Sequence, residues 1–153
     1  MGNRGAALAR DAIDHGKEFD LGGGPDAVLL LHGLTGSTFE MAPVARALHA
    51  AGMRCLAPVM AGHGGPARDL AGVPWVEWVG KARRDLARLE GARRTFVAGC
   101  SMGALVACAA FAAWPPMPSV VASSSASAPR RVLAREPVRV FVAVVMAFSF
   151  PRG

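Results

Sequence analysis

The chain has 153 residues, of which 52% are hydrophobic and 18% are charged. These values exclude a disordered chain, and the length suits one globular domain but not two. Lys and Arg outnumber Asp and Glu by 17 to 11, but the arginine pairs are scattered along the chain. Because a nucleic-acid surface needs basic residues clustered on one face, the sequence predicts a solvated basic surface and no nucleic-acid partner.

The N-terminal part of the chain begins an alternation of strand and helix patterns. Residues 1–16 are a mixed lead-in, and residues 17–21 are predicted to form a short edge strand. Residues 27–31 are apolar without alternation, which is typical of a strand buried on both faces of a parallel sheet. Apolar residues then recur every three or four positions from Met41 to Ala51, which predicts a helix that ends at Gly52.

Two more strand and helix pairs follow. Residues 53–57 and 95–99 are predicted to form strands parallel and adjacent to residues 27–31. A long helix is predicted over residues 74–89 and a helix of small residues over 103–113. One side of the long helix is expected to be buried, and it consists of Trp75, Trp78, Val79, Ala82 and Leu86. The alternation predicts a mostly parallel sheet flanked by helices.

The composition changes after residue 114. Residues 116–153 contain one acidic residue, Glu136, and five arginines, and prolines interrupt any regular period. The apolar run 138–150 is too short to span a bilayer, and its valines suit a strand at least as well as a membrane-attached helix. We therefore predict one half-domain over residues 17–114, and an irregular tail over 115–153 that a truncation or a frameshift would explain.

The three cysteines and the N-terminus favour a reducing compartment. Cys55 and Cys108 lie in apolar runs and are predicted to be small buried side chains. The first residues contain acidic side chains and no apolar core of a signal peptide. A cytoplasmic location and no stable membrane insertion are therefore expected.

A glycine-flanked serine occupies the junction between the third strand and the last helix. Gly99-Cys100-Ser101-Met102-Gly103 matches the pattern G-x-S-x-G, in which a sharp turn exposes a nucleophilic serine and small residues relieve backbone crowding. The pattern also occurs as an ordinary glycine-rich turn before a buried helix. Its place between a strand and a helix favours Ser101 as a nucleophile at the carboxyl edge of the sheet.

A second loop supplies the groups that such a nucleophile needs. His32, Gly33 and Leu34 directly follow a buried strand. An oxyanion hole takes one amide from the residue after the nucleophile and another from an earlier strand loop, which here would be Met102 and Leu34. His32 is interpreted as a residue that shapes this loop together with Gly33, and a role as catalytic base is the weaker alternative.

The remaining polar candidates favour structural roles. His63 lies in a glycine-rich loop after the second main strand, and a turn histidine is preferred over a metal ligand because no Cys or Asp stands beside it. No metal site and no cofactor are predicted. Asp85 and Glu90 lie among arginines on the long helix and are interpreted as surface charges.

Three segments together resemble a known family. They read LLLHGLTGS, APVMAGHGG and VAGCSMGALVA, with the Trp75–Trp78 helix between the last two, and they cover roughly residues 17–114. They resemble the bacterial carboxylesterase and monoacylglycerol-lipase branch of the α/β hydrolases. The resemblance implies the N-terminal half of an α/β-hydrolase fold and a cofactor-free serine hydrolase of small acyl esters. It also implies Ser101 as nucleophile and the Leu34 and Met102 amides as oxyanion hole.

The sequence departs from that family after Ser101. No histidine follows His63, and Glu136 is the one acidic residue after the serine. A serine hydroxyl without a base is a poor nucleophile, so this chain is expected to be inactive as it stands, without late strands, cap, triad acid or triad base. The alternative is a non-catalytic half-domain that binds a partner, and self-association through an open sheet edge is also predicted.

Overall fold

The computed structural model describes residues 16–112 and the backbone of residues 142–145. Five strands alternate with three helices and one 3₁₀ turn at Ala67–Asp69. The strands are β1 Phe19–Leu21, β2 Asp26–Leu31, β3 Met53–Ala57, β4 Arg94–Cys100 and β5 Val142–Val145. The helices are α1 Thr38–Ala50, α2 Trp75–Ala87 and α3 Met102–Ala112.

The strands form one mixed sheet in the order β1-β3-β2-β4-β5. β2 runs parallel to both β3 and β4, as the sequence predicts, and Leu31 is the register partner of Gly99. β1 is the short edge strand and pairs antiparallel with β3. Because β2, β3 and β4 are parallel, the loops that follow them emerge at one edge of the sheet, and Ser101 lies at that edge.

Each face of the sheet packs against helices. All six residues of β2 are buried, and the five from Ala27 to Leu31 are apolar, as expected of a strand that is covered on both faces. On one face Leu29, Leu31 and Val97 pack with α2 and α3, and on the other Val28 and Leu30 pack with α1. In β4, buried residues alternate with half-buried ones, so this strand is less completely covered than β2.

Several side chains lie elsewhere than the sequence suggests. Asp85 is not a surface charge: it is 4% exposed, and it accepts hydrogen bonds from Lys81 (2.9 Å) and Arg88 (3.1 Å). Trp75, the first residue of α2, is 60% exposed and not buried as predicted. Cys55 is buried as predicted, but Cys108 is exposed on α3. Glu90 is exposed as expected.

The outer edge of β4 is paired in the described structure. Val97 to Cys100 pair in parallel with the four residues of β5. An open edge at β4 is therefore not observed, and the apolar run after residue 138 adds the strand that its valines allow. The lead-in over residues 1–15 and the tail over residues 113–141 and 146–153 lie outside the described residues. Among the helices that are described, none is long and apolar enough to cross a membrane.

Candidate active site

Ser101 occupies a sharp turn between β4 and α3. Its φ of +50° lies in the left-handed region, and it is the one non-glycine residue with a positive φ among those described. Such a conformation costs about 1–3 kcal/mol for a residue with a Cβ and is held by the surrounding structure. The Ser101 side chain is exposed, so its hydroxyl is open to a ligand at the sheet edge.

Two glycines make this turn sterically feasible. A Cβ on Gly103 would collide with the Leu31 carbonyl oxygen and come to 2.6 Å from the His32 carbonyl oxygen. A Cβ on Gly99 would collide with the backbone of Gly103. The end of β2, the end of β4 and the start of α3 therefore converge at one point. This convergence gives a physical reason for the two glycines of the G-x-S-x-G pattern.

The loop after β2 reaches Ser101. A Cβ built on Gly33 would lie 3.5 Å from the Ser101 Cβ and 3.6 Å from the Cys100 carbonyl oxygen. The next residue, Leu34, is 43% exposed. The structure thus brings together Ser101 and the His32–Leu34 loop, two of the features that the sequence singles out.

Two backbone amides directly follow the residues that meet here, since Leu34 follows Gly33 and Met102 follows Ser101. Within the described residues, neither the Leu34 amide nor the Met102 amide donates a hydrogen bond to the chain. Met102 is the first residue of α3, where amides lack partners inside the helix and the helix dipole favours negative charge. These are the two amides that the sequence analysis assigns to an oxyanion hole.

His32 is a buried structural histidine. It is 0% exposed, and its Nε2 accepts a hydrogen bond from the Met60 amide (3.1 Å). Because Nε2 is the acceptor, Nδ1 carries the proton and donates to the Gly33 carbonyl oxygen (2.9 Å). Burial lowers the pKa of His32, so the ring is neutral. Both nitrogens are engaged by backbone, which supports the loop-shaping interpretation over a catalytic base.

Glu40 helps to hold the loop after β2, a role that the sequence did not predict. Its Oε2 accepts a hydrogen bond from the Gly33 amide (3.3 Å), so a carboxylate from α1 holds the same loop. The signal in the sequence is S-x-x-E at residues 37–40, a helix capping pattern. Ser37 does cap α1, through the Phe39 amide, but the Glu40 carboxylate reaches beyond the cap to the loop.

His63 belongs to the loop after β3 and contacts the loop after β2. Its Nε2 is 2.6 Å from the Leu34 carbonyl oxygen, and its Nδ1 is 3.1 Å from the Ala61 carbonyl oxygen. The indole Nε1 of Trp78 also donates to the Ala61 carbonyl oxygen (2.9 Å). Within the described residues, no three side chains of His, Cys, Asp or Glu come together as metal ligands.

A strained serine between a strand and a helix of a mostly parallel sheet has the geometry of the nucleophile elbow that α/β hydrolases share. The sequence profile of the alpha/beta hydrolase family matches residues 28–152, which is most of the chain. The chain therefore belongs to the alpha/beta hydrolase family.

Two relatives that match part of the chain are named as a lipase and an esterase. A thermostable monoacylglycerol lipase of Bacillus sp. (strain H-257) is 37% identical over 81 residues, which are 52% of this chain and 32% of the relative. A carboxylesterase of Bacillus subtilis (strain 168) is 42% identical over 62 residues, which are 40% of this chain and 25% of the relative. These matches span a third or less of each relative's length.

A solved structure of a lipolytic enzyme has a similar fold. It comes from work on LipS and LipT, two metagenome-derived lipolytic enzymes, and superposes with a TM-score of 0.58 at 26% sequence identity. The superposition covers 62% of this chain and 39% of the other chain.

Proposed function

We propose that this chain carries the nucleophile and the oxyanion hole of a serine hydrolase that acts on carboxylic esters, of the carboxylesterase or acylglycerol-lipase type. The observation that carries the proposal is the left-handed backbone of Ser101, because strain of this kind at an exposed serine between strand and helix is what a nucleophile elbow requires. The names of the Bacillus relatives support the ester as substrate class.

In the proposed reaction, Ser101 Oγ attacks the carbonyl carbon of a small acyl ester. The negative charge that develops on the carbonyl oxygen accepts hydrogen bonds from the Leu34 and Met102 amides. The positive end of α3 lies beside Met102 and stabilises the same charge. The serine proton must pass to a base, and both nitrogens of His32 and of His63 already face backbone groups. Neither ring is thus arranged to accept that proton.

We also propose that the 153-residue chain turns over esters slowly. No histidine follows His63 in the sequence, so the base that the serine mechanism uses is not supplied by a later loop of this chain. The expected rate on short p-nitrophenyl esters is about 10³-fold or more below that of a complete triad.

The three cysteines are free thiols, which supports the proposed cytoplasmic location.

The test supplies the missing base from solution. Hydrolysis of p-nitrophenyl butyrate is measured with increasing imidazole for the wild-type chain and for Ser101→Ala, because imidazole alone also cleaves this ester. The proposal expects a rate difference between the two proteins that grows with imidazole. In parallel, at the highest imidazole concentration, a fluorophosphonate should modify Ser101 and leave Ser37 unmodified in a peptide map.

Two outcomes would count against the proposal. Equal rates for wild type and Ser101→Ala at every imidazole concentration, with no modified Ser101 peptide, would favour the alternative of a non-catalytic binding half-domain. Fast Ser101-dependent hydrolysis without imidazole would retain the serine mechanism and overturn the proposed slow turnover. In that case His32 and His63 are the first candidates for substitution.

A further inference from the structure

A histidine outside the nucleophile motif contacts the loop that carries the Leu34 amide. His63 follows β3, yet its Nε2 lies 2.6 Å from the Leu34 carbonyl oxygen, 29 residues earlier in the chain. Its ring meets the His32 ring edge to face at 4.8 Å and lies 6.3 Å from the Trp78 ring. His63 is therefore held on several sides while it contacts this carbonyl.

The partners of the ring assign its proton. Both nitrogens face carbonyl oxygens, which only accept hydrogen bonds, and a neutral imidazole has a single N–H. The Ala61 carbonyl oxygen already receives the indole N–H of Trp78. The Leu34 carbonyl oxygen is the nearer acceptor, so the proton belongs on Nε2, where it donates to Leu34.

This hydrogen bond orients one of the two peptide units that flank the Leu34 α-carbon. The first unit joins the Gly33 carbonyl to the Leu34 amide, and its oxygen accepts from His32 Nδ1 (2.9 Å) and the Gly36 amide (3.2 Å). The second unit begins with the Leu34 carbonyl, which His63 holds. Since peptide units are planar, fixing both leaves the Leu34 amide little freedom to rotate.

We propose that His63 is a positioning residue that holds Leu34 in the conformation the oxyanion hole needs. This inference rests on the proposed function for its catalytic consequence, while the restraint on the loop can be measured without catalysis. His63 does not touch the reacting atoms in this scheme. Its contribution passes through the Leu34 carbonyl to the Leu34 amide.

The test compares two amide substitutions. In His63→Gln the side-chain amide can place an N–H near the position of Nε2, whereas in His63→Asn it reaches only toward Nδ1 and the Ala61 carbonyl. His49→Asn is the matched control, because His49 lies in the last turn of α1 and contacts the Met53 carbonyl oxygen. Each full-length variant is examined by hydrogen exchange of the Gly33 and Gly36 amides, which donate hydrogen bonds within the loop, and by the rate of fluorophosphonate modification of Ser101 in the presence of imidazole.

We expect His63→Asn to speed exchange in the loop by about tenfold and to slow Ser101 modification by about tenfold or more, since small displacements of a catalytic group cost rate factors of this size. His63→Gln should stay within about threefold of wild type in both, as should His49→Asn. Exchange of the β2 and β4 amides must be unchanged, which separates a local effect from unfolding.

The inference is overturned if His63→Asn leaves loop exchange at the wild-type rate, or if His63→Gln is as impaired as His63→Asn. Should His63→Asn fail to fold, His63→Phe keeps an aromatic ring without the N–H and takes its place in the comparison. A wild-type chain whose Ser101 is never modified would contradict the proposed function. The exchange comparison would still decide whether His63 restrains Leu34.

Discussion

Gly33 and Ser101 lie against each other at the carboxyl edge of the sheet, and a Cβ on Gly33 would be 3.5 Å from the Ser101 Cβ. This is an ordinary van der Waals distance, so a methyl group fits there but fills space beside the serine. The loop after β2 and the turn after β4 therefore share one small volume, in which a substrate carbonyl would have to lie. The first prediction follows from this proximity.

Gly33→Ala should fold normally, but its Ser101 should react slowly with a fluorophosphonate. We expect its free energy of unfolding to change by about 1 kcal/mol or less, and its rate of fluorophosphonate modification at Ser101 to fall by about tenfold. Urea unfolding and a timed peptide map measure the two effects. Modification at the wild-type rate would show that a ligand approaches Ser101 from a direction that Gly33 does not border.

Ser101→Gly should stabilise the fold. The left-handed conformation at φ +50° strains a serine and not a glycine, and the gain is partly offset by the greater chain entropy of glycine when unfolded. The expected net change is a gain of about 1 kcal/mol. Ser101→Ala is the control, because it keeps the Cβ and the strain. Equal stabilities of the two variants, measured by urea unfolding, would show that the turn is not strained.

Gly103→Ala should destabilise the chain by about 3 kcal/mol, because its Cβ would collide with the backbone where β2 ends. Gly80→Ala in α2 is the matched control. Its new methyl group meets only an Arg84 side-chain nitrogen at 3.4 Å, and alanine is the better helix former by up to about 1 kcal/mol. The midpoint temperature of thermal unfolding should therefore fall for Gly103→Ala and rise for Gly80→Ala. A shift of the same sign and size in both would contradict the close packing at Gly103.

The stability of the chain should decrease as the pH falls below about 6.5, the ordinary pKa of histidine. Burial holds the pKa of His32 below that value in the folded state, so the unfolded chain binds a proton that the folded chain does not. The stabilisation that His32 provides is complete at a pH above its pKa in the unfolded chain. It is lost as the pH falls toward its pKa in the folded chain.

His32→Gln tests this dependence. At pH 7.5 it should be less stable than wild type by about 1–3 kcal/mol, because a buried backbone group loses its partner. Between pH 7.5 and pH 5 it should lose less stability than wild type does. An unchanged slope in His32→Gln would mean that another group is responsible for the pH dependence.

The thiols should differ strongly in reactivity. Burial raises the pKa of Cys55 to about 11, so its thiolate is scarce as well as inaccessible, whereas Cys108 is exposed on α3. Ellman's reagent should react with Cys108 in the folded chain and with Cys55 only after unfolding. Because Cys100 is half-buried, the comparison is made in a Cys100→Ser background, in which Cys108→Ser should remove the fast phase. Rapid reaction of Cys55 in that variant would indicate that the face of the sheet under α1 opens easily.

Local patterns in the sequence determined the central part of this fold. The unbroken apolar run of β2 requires burial on both faces, and a parallel sheet with helices on either side provides it. The spacing of glycines around Ser101 likewise encodes a turn that few other residues permit. Hydrophobic period and backbone sterics depend on near neighbours, and for this reason the three parallel strands and the position of the serine could be predicted.

Only the tertiary structure decided the polar partners and the exposed faces. Asp85 is buried because Lys81 and Arg88 neutralise it, and Cys108 is exposed because no described element covers that side of α3. Glu40 reaches Gly33, and His63 reaches Leu34 across 29 residues. Such contacts depend on which loops meet at one sheet edge. Hydrogen-bonding partners that lie far apart in sequence leave no periodic signal along the chain, so the network around Leu34 becomes visible only when the strands are assembled.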